Sequence, residues 1–148
     1  MASSAYYKFD CFAADLGLGI HNLDTDTLKI FLTNHQPVVG DTVYGGTGGD
    51  PAEIAAGNGY TATGAEVPTP TYAQTAGVGT LGSAEDVVFT AATGTMATFR
   101  WAVLYNATAT AKNLICWWDY GSAVSLGIGE SITLGWAADA ILTLQKSA

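Results

Sequence analysis

The chain has 148 residues, 49% of them apolar and only 12% charged, with a net charge of −8 and five basic residues. That is the length of one domain, enough to bury a core without a disulfide framework or a structural metal. Lys8, Lys29, Arg100, Lys112 and Lys146 are scattered, so no cluster of cations is available for a phosphate backbone or an anionic bilayer, and the expectation is no nucleic-acid and no membrane partner.

No run reaches the eighteen or more apolar residues of a membrane span. The opening "MASSAYYKFDCF" places Lys8 and Asp10 where a secretory leader needs an apolar core, so synthesis and folding in a cytoplasm are expected. Cys11 and Cys116 lie too far apart, and are too few, for a disulfide scaffold; both are expected as buried free thiols.

In chain order, "FDCFAADLGLGI" comes first. Phe9, Phe12, Ala13 and Leu16 recur at the spacing of one helix face, which predicts a short helix over about 8–16, stopped by Gly17 and Gly19. "HNLDTDT" reads as a turn, because Asn and Asp side chains bond their own backbone. In "LKIFLT", Leu28, Ile30 and Leu32 alternate with Lys29, Phe31 and Thr33, a strand pattern.

From about residue 35 to 83 the chain turns rich in Gly, Pro, Thr and Ala. This predicts a long loop or arm region with turns and short edge strands. Within it, Asp50, Pro51 and Gly57 suggest one capped helical turn, and Asn58-Gly59 a tight turn.

After Ser83, "DVVFTA", "TFRWAVLYN", "NLICWWDYG", "AVSLGI", "ESITLGWA" and "AILTLQK" follow one another without helical patterns between them. The fold class expected is mainly β: an antiparallel β-sandwich or barrel, jelly-roll-like, formed as a single domain over 1–148.

All four tryptophans, Trp101, Trp117, Trp118 and Trp136, lie in this half. Period-two alternation in "FRWAVLYN" puts Phe99, Trp101, Val103 and Tyr105 on one side, expected to fill the space between two sheets. Adjacent Trp117 and Trp118 must point opposite ways, one into the core and one outward. The residues expected to contact a partner are Trp117, Trp118, Tyr120, Tyr44 and Tyr72, since exposed Trp and Tyr are enriched at interfaces.

Chemical motifs are weak. His21 and His35 have no metal-ligand spacing around them, and Asp24 and Asp26 lack the Gly and Glu of a calcium loop. "GVGTLG", Gly77–Gly82, matches a dinucleotide pattern in letters but precedes a strand instead of opening a helix. No nucleophile motif stands out, and no spacing selects a catalytic pair among the thirteen acidic residues. The expectation is a protein that is not an enzyme and has no cofactor and no metal.

Three segments carry a resemblance: "DTLKIFLTN", "EIAAGNGYTATG" and "FRWAVLYNATATAKNLICWWDYGSAVSLGIGESITL". Together they resemble a family of small virion structural proteins of tailed bacteriophages. The resemblance runs from about Tyr6 to Leu144 and loosens between Thr61 and Ser83. It implies a capsid decoration, or cement, protein on the outer surface of the virion. Its partners would be the major capsid protein and itself, with a homotrimer favoured and a homodimer as runner-up. A tail or head-fibre component is the alternative, and a small carbohydrate-binding module the second alternative. The family supplies no functional motif from which contact residues can be carried over.

Overall fold

The structure, a computed structural model, describes residues 5–145. Ten strands and one helix appear in it: β1 (Tyr6–Lys8), α1 (Cys11–Gly17), β2 (Leu28–Thr33), β3 (Ala65–Glu66), β4 (Thr71–Thr75), β5 (Val78–Gly82), β6 (Val87–Thr90), β7 (Phe99–Asn106), β8 (Leu114–Val124), β9 (Ser131–Leu134) and β10 (Ala140–Gln145). All pairings are antiparallel. The large sheet has the order β1-β8-β7-β2-β3, and two smaller sheets are β10-β5-β4 and β6-β9. The class is the expected β-sandwich, and no closed barrel forms among the described residues.

The main core lies where one face of the large sheet meets the two small sheets. Leu28, Ile30, Leu32, Ala102, Leu104, Cys116 and Trp118 come from the large sheet. Leu81, Val87, Phe89, Ile132, Leu134, Ile141 and Leu142 come from the small ones. Each fully buried Leu or Ile contributes about 1.5–3 kcal/mol through apolar area removed from water. β2 shows why its sequence is a strand: Leu28, Ile30 and Leu32 all point into this core, as strict alternation requires.

The large sheet is buried on its second face as well. Phe9, Phe31, Val103, Tyr105, Leu114 and Trp117 form a separate cluster there, with Cys11, Tyr44 and Trp101 packed against it. This overturns the expected placement of the β7 aromatics. Phe99 faces the main core, but Trp101, Val103 and Tyr105 face the second cluster. The cause is irregular pairing. Phe99 lies opposite Val124, whereas Trp101 lies opposite Asp119, so β8 carries three surplus residues there and the face changes. A second irregularity sits where Leu104 pairs with Cys116 and Tyr105 with Leu114. It leaves Ile115 and Cys116 both on the main-core side.

The helix begins later than the spacing predicted. Phe9 precedes it and packs on the second face, while Phe12 and Leu16 reach the main core. Its end is a paired cap: Gly19 N–H donates to the Leu16 carbonyl at 3.2 Å and Ile20 N–H to the Asp15 carbonyl at 2.9 Å. Gly19 has φ +73, the left-handed geometry that this motif needs.

Residues 35–83 are not a loop throughout. β4 and β5 form a hairpin around Ala76 and Gly77, both at positive φ, and β5 pairs with β10. "GVGTLG" is thus the turn and strand of this hairpin. The expected helical turn after Asp50 is absent: the 3₁₀ turn falls earlier, at Gly46–Gly48, and Glu53 bridges to Thr33 instead. Asn58-Gly59 does make a tight turn, with Gly57 and Tyr60 exchanging both backbone bonds. "AVSLGI" contributes only Ala123 and Val124 to the end of β8.

Candidate functional site

The five residues singled out as partner contacts fall in different places. Trp118 is 4% exposed and packs on Trp136 in the main core, with ring centroids 5.4 Å apart. Trp117 is 7% exposed and stacks between Tyr7 and Phe9. Neither tryptophan faces outward, because both faces of the large sheet are covered, so the outward-aromatic expectation is corrected. Tyr44 stacks on Tyr105 at 4.8 Å within the second cluster. Tyr120 is exposed, at the irregular end of β8, and Tyr72 is half-buried on β4.

The second cluster hides a buried carboxylate. Glu53 accepts from the Tyr44 hydroxyl at 2.6 Å and from the Tyr60 hydroxyl at 2.7 Å. Burial, then the Glu53 carboxylate, raises both tyrosines well above the ordinary phenol range. Tyr105 is pushed up to about 12, chiefly by burial. These groups stay neutral donors, which suits a structural carboxylate clamp.

Exposed large apolar side chains are spread over the surface, with Val38, Val39, Val43, Val88 and Ile128 among them, and two opposite ends of the large sheet carry others. At one end lie the close of α1, the 21–27 turn and the 107–111 turn. Leu18 is 77% exposed and Ile20 37%. Ile20 shares a depression of about 430 Å³ with Thr108, Ala109, Thr110 and Ala111. The turn reads Ala-Thr-Ala-Thr-Ala from 107 to 111, without charge. On the other side of the helix end, Tyr72 lines a second depression with Leu16, Leu23 and Asp24.

A buried polar network fixes this end. The Asn106 side-chain oxygen Oδ1 accepts from the Thr108 and Ala109 N–H groups at 2.9 and 3.1 Å. Its amide nitrogen therefore donates, to Asp26 at 2.6 Å and toward His21 Nδ1 at 3.1 Å. That bond sets the His21 tautomer with the proton on Nε2. Nε2 stands 3.9 Å from Asp15 Oδ2 and has no hydrogen-bond partner among the described residues. Desolvation lowers the His21 pKa, opposed by Asp15 and Asp26. Asn113 ties the network to α1 by donating to Asp15 at 2.9 Å. Sequence reasoning took Asp24 and Asp26 as turn formers but gave Asn106 no structural role, since a single Asn at the end of a strand carries no pattern.

The opposite end holds Trp101, Asp119 and Tyr120. Arg100 grips Asp119 through Nε and Nη2 at 2.8 and 2.9 Å and lies over the Trp101 ring at 4.9 Å. The guanidinium holds the Asp119 carboxyl below its usual range. His35 pairs with Asp50 at 3.0 Å on the surface. No group of three or more His, Cys, Asp or Glu side chains able to hold a metal occurs among the described residues. No described helix is long and apolar enough to cross a membrane.

Cys11 is half-buried, a departure from the expectation, and Cys116 is fully buried; both are free. Compared with known proteins, the chain matches no family model, no curated protein and no solved structure.

Proposed function

We propose that this chain is a capsid decoration protein of a tailed bacteriophage, docking through the end of the sandwich that carries Leu18 and Ile20. The observation that carries this reading is exposed Ile20 set beside the 107–111 turn, with exposed Leu18 two residues away at the helix end. A solvent-facing Ile beside an Ala/Thr turn, in a depression whose one acidic residue, Asp26, is already bonded by Asn106, forms the kind of surface that is stable when covered. The helix cap and the Asn106 network hold it rigid, so docking costs little ordering entropy. The segments that resemble phage virion proteins support the same reading. Its partners are the major capsid protein and further copies of itself, a trimer favoured over a dimer, since symmetric copies close around a junction of the shell.

The test is titration of the purified protein onto expanded, undecorated capsids of its own phage. Saturable co-sedimentation and a raised capsid melting temperature are expected. The double substitution Leu18→Asp with Ile20→Asp should abolish binding while leaving the monomer's unfolding curve unchanged. Capsids that do not bind the wild-type protein would overturn the proposal.

A further inference from the structure

The far end of the large sheet carries a different surface. Trp101 and Asn106 are five strand residues apart on β7, about 17 Å at the usual rise per residue. A depression of about 270 Å³ there is lined by Tyr7, Gln36, Pro37, Trp101, Trp117 and Asp119. The geometry points to a saccharide subsite that takes one pyranose unit of a neutral glycan.

The ring geometry comes first. Tyr7 is 52% exposed and lies nearly parallel on Trp117, at 5.4 Å and 24°. Trp117 is backed in turn by Phe9 at 4.5 Å. The Tyr7 ring is therefore a braced platform with a wet surface, suited to the C–H face of a sugar ring. Trp101 is half-buried beside it, with the Arg100 guanidinium over its ring.

The polar groups come second. Among the described residues, neither the Tyr7 hydroxyl nor the Gln36 amide bonds another protein group. They offer a phenol, an amide carbonyl and an amide NH₂ to a ligand whose hydroxyls both donate and accept. Asp119 is pre-positioned by Arg100 and by the Gly121 N–H at 2.7 Å, so its orientation costs nothing on binding.

The balance of charge selects among ligands. Asp119 is already neutralised by Arg100, and Arg100 already occupies a face of Trp101. A quaternary ammonium ligand would find the cation place taken, and the Arg100–Asp119 pair leaves no net charge to hold an anion. A purely apolar ligand would cover the Tyr7 ring but leave the Tyr7 hydroxyl, Gln36 and Asp119 without partners from the ligand. A neutral polyol with one apolar face fits what remains. A single sugar of about a dozen heavy atoms on a shallow site binds in about the millimolar range.

This site is separate from the docking end and stands or falls without it. The experiment is a two-dimensional NMR titration of the full chain with glucose, galactose, mannose and N-acetylglucosamine, and with tetramethylammonium as a cation probe. Saturable shifts centred on Tyr7, Gln36 and the Trp101 indole N–H are expected for at least one sugar. Tyr7→Ala should weaken that binding about tenfold, the scale of one lost ring contact. Both side chains are exposed, so Gln36→Ala, a milder change, should also fold and should weaken it several-fold. Tyr120→Ala, at an exposed ring outside the depression, should leave it unchanged. No saturable shift by about 50 mM of any of the four sugars, far above the expected Kd, would overturn the proposal, as would shifts centred elsewhere or preferential binding of tetramethylammonium.

Discussion

Tyr60 donates its hydroxyl proton to Glu53 at 2.7 Å, with both side chains inside the molecule, at 3% and 5% exposure. The same hydroxyl accepts from the Leu32 N–H at 3.1 Å, so one phenol ties a buried acid to a central strand. Tyr60→Phe strips a donor from the carboxylate and an acceptor from the backbone at once. The expected loss is about 1–3 kcal/mol, the cost of leaving buried polar groups unmatched, read as a lower urea midpoint at unchanged slope. A midpoint equal to wild type would mean that the clamp contributes nothing.

His21 makes stability depend on pH. Its pKa in the fold lies below the ordinary value of 6.5, because burial disfavours the charged ring. The unfolded chain therefore binds the proton more readily, and stability rises with pH wherever that difference operates. The contribution is complete above about pH 6.5 and is lost as pH falls through that value toward the folded pKa. A series of denaturant melts between pH 7.5 and 5, set around that value, should show this decline. The His21→Gln variant should show a flatter profile; an identical slope in both proteins would remove His21 as its source.

Gly64 has φ +75, and a Cβ placed there would lie 1.9 Å from the Ile30 carbonyl oxygen and 2.6 Å from its carbon. The obstacle is backbone of a central strand, which cannot step aside. Gly64→Ala should cost about 2–3 kcal/mol through strain and overpacking. Hydrogen exchange should show the loss first at β3 and its pairing with β2. Wild-type stability in this variant would show that the turn relaxes freely.

The two thiols should be inert in the folded protein. Cys11 is pushed up to about 11 by burial and by the Asp15 carboxylate beside it, and Cys116 is raised further by complete burial. Thiolate, the reactive form, is then scarce at neutral pH. With Ellman's reagent at pH 8, a value near the ordinary thiol pKa, the native protein should show almost no fast reaction. Unfolding in denaturant should release both thiols. A fast native equivalent would place Cys11 in a more open setting than the fold gives it.

How much was legible in the sequence varies by element. The strand assignments for β2, β6, β7, β9 and β10 follow from side-chain alternation along an extended chain, and that for β8 from its apolar run. The Asn58-Gly59 turn and the stop after α1 were equally local, since both depend on residues that accept positive φ. The hairpin of β4 and β5 was hidden, because Thr, Ala and Gly carry no apolar alternation to reveal a strand at a sheet edge.

The sequence by itself therefore determined the class: a low-charge, antiparallel β domain with three of its four tryptophans on two long strands. Only the tertiary structure decided which way those aromatics point. The surplus residues between Asp119 and Val124, and the extra one at Ile115, shift the pairing of β7 with β8. A change of one residue in register exchanges the two faces of a strand. Only the fold, too, gives the large sheet two buried faces, so that Trp117 and Trp118 can point opposite ways and both stay buried. Such outcomes depend on which distant segments cover each face, and no window of neighbouring residues contains that information.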